Sequence, residues 1–138
     1  MKPIYKTSAT ATGGRNGKVT SQDGVLALEV RMPKELKGEG GPYTNPEQLF
    51  AAGYAACFDS ALNLVARLER KKISSQVTAN VGLKIAGLSG MDLVVRLDVK
   101  VEGVDEETAR RLLEKAHKTC PYSKAIRNNV DVQVNLVQ

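Results

Sequence analysis

The sequence predicts an α+β fold in which antiparallel sheets pack against helices. A long apolar segment at residues 44–72 has helical spacing and a well-marked start. On both sides of it lie short β-forming stretches separated by glycine-rich turns, which predict hairpins. Strands joined by hairpins run antiparallel, whereas parallel strands need a crossover connection.

Three strands are predicted before the long helix, at residues 4–12, 18–21 and 25–32. Between the first two strands, Asn16 and Gly17 both tolerate positive φ and predict a tight hairpin turn. Asp23 and Gly24 mark the second turn. The proline- and glycine-rich residues 33–42 then have loop composition.

The long helix begins with strong capping signals. Asn45 is a good N-cap, Pro46 suits the first helical position, and Gln48 sits where a capping-box partner reaches back. The first turns are apolar nearly all round, so we expect this helix to be buried on several sides. It carries Cys57, one of two cysteines, near its middle.

Two further strands, at residues 76–86 and 93–101, are expected to form a second hairpin. A second helix is predicted from residue 104, because acidic residues open it and apolar residues recur along one face. Cys120 interrupts this helix as the N-cap of a short third helix, and residues 130–136 alternate as a final strand. The predicted order is βββ-α-ββ-α-α-β.

Length and composition limit the possible classes. The 138 residues, 42% of them hydrophobic, are expected to form one domain over residues 1–138. No apolar run is expected to be long enough for a membrane span, and a cytoplasmic location is predicted. The +5 charge is scattered and the chain has no Trp, so nucleic-acid binding is not expected.

Cys57 alone is ambiguous, since a lone cysteine on an apolar helix face is usually a small core residue. If it is reactive, its mid-helix position places it too far from the helix N-terminus to gain from the dipole. Any lowering of its pKa must then come from a cation on another segment. Arg15, at the tip of the first hairpin, is the best-placed candidate, although an arginine on a turn is more often simply solvated.

Cys120 and Glu47 each have two interpretations. A thiol at a helix start is able to form a thiolate stabilised by backbone N–H groups, which suits a resolving thiol, but Cys120 is equally explained as a buried cysteine used as a poor N-cap. Glu47 either favours the helix dipole or anchors a guanidinium.

The sequence also contains weak candidates for a metal site and a nucleotide site. His117, Cys57 and Cys120 supply only three zinc ligands, with no fourth at a recognisable spacing. The GEGG stretch at residues 38–41 lacks the remainder of a phosphate loop. Neither site is expected.

Three blocks together resemble the organic hydroperoxide resistance proteins of the OsmC superfamily: GGRNG at 13–17, TNPEQLFAAGYAACF at 44–58 and AHKTCPYSKAIR at 116–127. The resemblance covers essentially the whole chain, with the OsmC branch proper as the close alternative. It implies an intertwined homodimer in which antiparallel sheets wrap around central helices, with active sites at the subunit interface. It implies no cofactor and no metal.

The resemblance also implies roles for individual residues. Cys57 matches the peroxidatic cysteine, Cys120 the resolving cysteine, and Arg15 with Glu47 the activating pair. Members of the family reduce organic and fatty-acid hydroperoxides and are recycled by dithiols, especially lipoyl groups on proteins. The apolar neighbours of the cysteines suit an alkyl tail, although they are equally explained as core; the substrate-binding candidates are Phe50, Phe58 and Tyr122.

One expectation concerns the helix geometry. Glu47 and Cys57 are ten residues apart, a rise of about 15 Å on a straight helix, so one guanidinium does not readily touch both. If Arg15 contacts both, the helix begins after Glu47, or it bends, or the contacts are divided between subunits.

The sequence therefore leaves three candidate functions. The first is a Cys-based organic hydroperoxide reductase. The second is a redox sensor in which oxidation of Cys57 alters a partner contact, and the third is a stress-related structural protein with passive thiols.

Overall fold

The computed structural model describes all 138 residues and has the α+β composition that the sequence predicts. Its elements occur in the predicted order, with two additional short 3-10 helices at Lys34–Leu36 and Gly87–Ser89. The strands and α-helices are β1 (Ala9–Thr12), β2 (Gly17–Ser21), β3 (Ala27–Val30), α1 (Pro46–Leu68), β4 (Ser74–Ile85), β5 (Met91–Glu102), α2 (Glu106–Thr119), α3 (Pro121–Ile126) and β6 (Val132–Val137). Contacts divide the chain into an N-terminal unit, Met1–Leu49, and a C-terminal unit, Phe50–Gln138.

The N-terminal unit contains an antiparallel sheet of order β1-β2-β3, as predicted. The first turn differs from the prediction, because Gly13 and Gly14 adopt positive φ and Asn16 does not. The side-chain oxygen of Asn16 instead accepts a hydrogen bond from the backbone N–H of Met32, at 3.2 Å. This bond ties the hairpin tip to the segment that follows β3.

The outer strands of this sheet are shorter than predicted. β1 covers residues 9–12 rather than 4–12, and β3 covers 27–30 rather than 25–32. The cause is the partner strand: β2 has only five residues, so residues further along β1 and β3 have no ladder to join.

The start of α1 follows the predicted capping pattern. The side chain of Asn45 accepts a hydrogen bond from the backbone N–H of Gln48, at 2.8 Å, and Pro46 is the first helical residue. The Gln48 side chain does not reach back to the backbone N–H of Asn45; its oxygen accepts from the Thr44 hydroxyl at 3.0 Å. The predicted capping box is therefore replaced by a side-chain pair.

The end of α1 comes four residues before the predicted end at residue 72. Arg70 adopts a positive φ of 58°, and the N–H of Lys71 donates to the carbonyl of Ala66 at 2.8 Å. A left-handed residue followed by a bond back into the last turn is how many helices end. The cationic run was wrongly read as a continuation of the helix.

The C-terminal unit contains the sheet β4-β5-β6. β4 and β5 form the predicted long hairpin, with Ser74 opposite Glu102 and Ile85 opposite Met91. β6 pairs with β5 in parallel, because two helices rather than a hairpin connect them. This is the exception within an otherwise antiparallel arrangement.

The core of this unit lies between the sheet and the helices. Its buried side chains come from α1, β5, α2 and the residue between α2 and α3. They include Tyr54, Phe58, Leu62, Leu97, Val99, Leu112 and Cys120. Cys57 and Phe50 are partly buried and pack against this cluster. One cysteine is thus inside the core and the other is at its edge.

The expectation that no segment is long enough for a membrane span is not met by α1. An 18-residue window of this helix has a mean hydropathy of 1.4, which suffices by length and composition. Tyr54, Phe58 and Leu62 are nevertheless fully buried within the protein. A core helix of a soluble protein passes the same test, so the finding is weak evidence for a membrane.

Candidate active site

The two thiols lie next to each other. Cys57 is on α1 and Cys120 is at the junction of α2 and α3, and the Cys120 S–H donates toward Cys57 Sγ at 3.6 Å. A disulfide requires about 2.05 Å between the sulfurs, so both cysteines are free thiols. Cys120 is fully buried, whereas Cys57 is partly exposed. The geometry makes Cys57 the accessible thiol and Cys120 its sheltered neighbour.

The junction between α2 and α3 places Cys120 at this position. Its backbone N–H still donates to the carbonyl of Ala116 at 2.8 Å, but its ψ of 123° is not helical. Pro121 then starts α3, as expected for a residue without a free N–H. Cys120 is the predicted N-cap of α3, yet its side chain makes no capping hydrogen bond and turns to Cys57 instead.

The pKa of the Cys57 thiol is raised, chiefly because burial disfavours the thiolate and further because the Cys120 thiol is adjacent. The backbone N–H of Tyr122 acts in the opposite direction by hydrogen bonding to the sulfur. The sequence had suggested that such N–H groups at the start of α3 would serve Cys120. In the structure, the N–H of Tyr122 hydrogen-bonds to the sulfur of Cys57 instead.

Aromatic side chains surround this pair of thiols. The rings of Phe50 and Tyr122 have centroids 6.2 Å apart, and Tyr54 lies 6.0 Å from Phe50 and 5.8 Å from Tyr122. Tyr122 is 40% exposed and Phe50 is partly buried, so both are able to contact a ligand. Phe58 is fully buried against Tyr54 and His117, so it packs behind the site.

Gly53 makes room for the ring of Tyr122. A Cβ at position 53 would lie only 2.7 Å from the Tyr122 hydroxyl oxygen and 3.2 Å from two ring carbons. Because glycine costs roughly 1 kcal/mol relative to alanine inside a helix, its presence in α1 has a packing reason here.

Arg15 and Glu47 form an ion pair within the N-terminal unit. Nη1 of Arg15 lies 2.7 Å from Oε1 and 3.1 Å from Oε2 of Glu47, and both side chains are largely shielded from solvent. The anchoring interpretation of Glu47 therefore has a geometric basis. Since α1 begins at Pro46, the arrangement in which the helix starts after Glu47 is excluded.

A chain of three polar side chains was not found from the sequence. The Tyr54 hydroxyl lies 2.6 Å from the Ser123 hydroxyl, which lies 2.8 Å from Nδ1 of His117. The signal available in the sequence was Tyr54 itself, because a tyrosine on a buried helix face needs a hydrogen-bond partner.

The zinc alternative has no geometric support. No group of three or more His, Cys, Asp or Glu side chains is arranged to hold a metal ion. Nδ1 of His117 is already paired with Ser123.

Comparison with known proteins identifies the family of this chain. A family model described as OsmC-like protein matches residues 38–135. The chain belongs to this family. Among OsmC-like proteins it is similar to the organic hydroperoxide resistance protein OhrA of Bacillus subtilis strain 168, with 51% identity over 99% of each chain.

Solved structures of OsmC-like proteins agree with this assignment. The organic hydroperoxide resistance protein of Legionella pneumophila superposes with a TM-score of 0.96 at 47% identity, covering 99% of this chain and 100% of the other. A Vibrio cholerae protein described as a putative organic hydroperoxide resistance protein, with captopril in one of its active sites, gives 0.93 at 48% identity and coverages of 99% and 94%. The resemblance drawn from the three sequence blocks is thereby confirmed, as is the OsmC-like fold class.

Proposed function

We propose that this protein is a Cys-based peroxidase that reduces organic and fatty-acid hydroperoxides to alcohols. The observation that carries the proposal is the pair of free thiols, one partly exposed and one buried, with their sulfurs 3.6 Å apart. Family relatives are named for organic hydroperoxide resistance, which agrees with this chemistry.

In the first step, the Cys57 thiolate attacks the distal oxygen of the hydroperoxide. The S–O bond forms as the O–O bond breaks, and the alkoxide leaves with a proton as the alcohol, so Cys57 becomes a sulfenic acid. In the second step, Cys120 attacks this sulfur, the S–S bond forms, the S–O bond breaks and water leaves. The sulfurs must approach by about 1.5 Å to reach disulfide distance.

An external dithiol completes the cycle by thiol–disulfide exchange. One thiolate of the dithiol attacks the Cys57–Cys120 bridge, and its second thiol releases the enzyme, leaving the dithiol oxidised and both cysteines reduced. We propose a lipoyl-bearing protein as this reductant, from the family resemblance. No cofactor takes part in the proposed cycle.

Arg15 and Glu47 are proposed as the activating pair. Burial raises the pKa of Cys57, so a thiolate at neutral pH needs a compensating positive charge. The Glu47 carboxylate holds the Arg15 guanidinium through both of its oxygens, which fixes the orientation of that cation. The family resemblance assigns the role to these residues.

The proposed assembly is a cytoplasmic homodimer, again from the resemblance. Large apolar side chains such as Leu64 and Leu68 of α1 are exposed in the single chain, which supports a further covering surface. Analytical ultracentrifugation at micromolar concentration tests the dimer, and a monomer would contradict it.

The substrate is proposed to contact Phe50 and Tyr122, with Phe58 supporting them from the core. The partly exposed rings offer an apolar surface near Cys57, which suits an alkyl tail better than it suits hydrogen peroxide. The Vibrio cholerae relative holds captopril in one of its active sites, so that site accepts an organic molecule.

The decisive assay follows cumene hydroperoxide or a fatty-acid hydroperoxide with dihydrolipoamide as reductant. A peroxidase consumes many equivalents per protein, and hydrogen peroxide should be consumed more slowly. A redox sensor consumes about one equivalent and stops, and a structural protein consumes none, so either of those results would contradict the proposal.

Cys120→Ser is expected to leave the first step intact and remove the second. Cys57 should then consume one equivalent of hydroperoxide to reach the sulfenic acid and, without a resolving thiol, a second and a third equivalent to reach the sulfinic and sulfonic acids. Intact-protein mass spectrometry detects the added oxygens. Normal multiple turnover by this variant would disprove the resolving role of Cys120.

Gly53→Ala is expected to displace the Tyr122 ring, because the new Cβ would lie 2.7 Å from its hydroxyl. We expect KM for cumene hydroperoxide to rise about three- to tenfold, while the melting temperature stays level or rises because alanine favours the helix.

The matched control for this substitution is the double variant Gly53→Ala with Tyr122→Phe. Removing the hydroxyl relieves the closest contact and should recover part of the KM relative to Gly53→Ala. An unchanged KM in Gly53→Ala would show that the position of the Tyr122 ring does not matter to substrate binding.

A further inference from the structure

A buried hydrogen-bonded chain links three helices beside the thiols. Tyr54 on α1 is 0% exposed and Ser123 on α3 is 1% exposed, and their hydroxyl oxygens lie 2.6 Å apart. Ser123 continues the chain to Nδ1 of His117 on α2, at 2.8 Å. The proposed peroxidase steps use none of these side chains.

The protonation states of Tyr54 and His117 determine which group donates in each of these hydrogen bonds. Burial raises the pKa of Tyr54, so its phenol stays protonated and donates to Ser123. The Ser123 hydroxyl then points its own hydrogen at Nδ1 of His117, and Nδ1 accepts it in the tautomer of the neutral ring that carries its proton on Nε2. Burial, and secondly the charge of Arg127, lower the pKa of His117 below its ordinary 6.5.

The hydrogen-bonded chain includes a residue of α3, the helix whose first turn contacts Cys57. Ser123 directly follows Tyr122, whose backbone N–H bonds to the Cys57 sulfur, and lies three residues after Cys120. Tyr54 lies three residues before Cys57 on α1. The hydrogen bonds therefore fasten the first turn of α3 to both of the helices that flank the thiol pair.

We infer that Tyr54, Ser123 and His117 are positioning residues for disulfide formation, holding the start of α3 so that Cys120 stays in reach of Cys57 while His117 is neutral. The inference rests on the proposed peroxidase function. The step it concerns is the attack of Cys120 on the Cys57 sulfenic acid, in which the S–S bond forms, the S–O bond breaks and water leaves.

Protonation of His117 would reverse the hydrogen bond between Ser123 and His117. Nδ1 would become a donor, so Ser123 would accept from both neighbours and its own hydrogen would lack a partner in a buried site. The His117 ring faces Phe58 of α1, and Arg127 after α3 donates to its backbone carbonyl. The groove beside His117 is otherwise lined by Glu107, Arg110, Arg111, Leu113 and Glu114 of α2 and by Val134 of β6.

Ser123→Ala tests the inference. After one equivalent of cumene hydroperoxide, we expect disulfide formation to be about three- to tenfold slower than in the wild type, with more sulfenic acid trapped by dimedone. Ser75→Ala is the matched control, since Ser75 is a second serine hydrogen-bonded to α1, through Asp59 and Asn63, and should leave the rate unchanged.

The pH profile separates positioning from mere stability. In the wild type, disulfide formation should show an extra fall on the acid side of the ordinary imidazole pKa, beyond that caused by thiol protonation, since the lowered pKa of His117 places its proton uptake there. His117→Leu should be slow at all pH values. His117→Asn, whose side-chain oxygen replaces Nδ1 as acceptor, should recover most of the lost rate and lack the extra fall.

The outcomes are distinct from those for the proposed function. If the wild type forms neither sulfenic acid nor disulfide, the peroxidase proposal fails. If the wild type forms both and Ser123→Ala matches its rate, or His117→Asn keeps the acidic fall, the positioning inference fails while the peroxidase proposal stands.

Discussion

Cys57→Ser is expected to lower hydroperoxide turnover by at least about 10³-fold, to the background of the reductant alone. The serine hydroxyl remains protonated at neutral pH, and it forms no sulfenic acid. Cys120 is fully buried and has no equivalent exposure to a bulky hydroperoxide, so it should not substitute. The expected loss is therefore in kcat rather than in KM.

Steady-state consumption of cumene hydroperoxide with dihydrolipoamide measures this loss. Ala56→Ser is the matched control, because it adds a hydroxyl to the exposed neighbouring position of the same helix and should keep full activity. Circular dichroism should show both variants folded. Turnover within a factor of a few of the wild type in Cys57→Ser would rule out Cys57 as the peroxidatic residue.

Arg15→Gln is expected to lower kcat/KM at pH 7 by about 10- to 100-fold, corresponding to a rise of one to two units in the pKa that governs activity. The sign follows from the chemistry. The thiolate is the reactive form, a nearby cation favours it, and burial already raises the pKa of Cys57. Without the cation, the thiolate should form only at higher pH, so activity should partly return near pH 9.

The measurement is kcat/KM across pH for Arg15→Gln beside the wild type. Glu47→Gln should give a smaller loss, since it leaves the guanidinium in place but removes the carboxylate that holds it at 2.7 Å. Arg96→Gln is the control, because Arg96 is half exposed and pairs with Asp98 on the same strand. A wild-type pH profile in Arg15→Gln would show that the activating charge comes from elsewhere.

The helix starts were predictable because capping involves residues only a few positions apart. Asn45 caps α1, and Asp105 accepts from the backbone N–H of Thr108 at the start of α2. Cys120 was likewise predicted as the N-cap of α3 from the proline that follows it. The prediction at Asn16 failed because its side chain binds the backbone of Met32, 16 residues away. The prediction at Gln48 failed because a second local partner, the Thr44 hydroxyl, competes with the backbone N–H of Asn45.

The direction in which β6 pairs with β5 could not be predicted from the sequence. Its alternation predicted a half-buried strand, but pairing direction depends on the path of the chain through α2 and α3. The same applies to Tyr54, whose need for a partner was visible from the sequence. That Ser123, 69 residues away, meets it depends on how the helices pack.

The sequence by itself determined the family, the order of elements, and the two cysteines on which the proposed chemistry depends. These follow from residue types and short spacings. The spacings reflect local backbone preferences, and the motifs are shared with related proteins. Only the tertiary structure decided that the sulfurs lie 3.6 Å apart, that the N–H of Tyr122 hydrogen-bonds to the sulfur of Cys57, and that His117 pairs with Ser123. The physical reason is that such contacts join distant parts of the chain, and their distances are set by the packing of whole helices rather than by any one residue's preference.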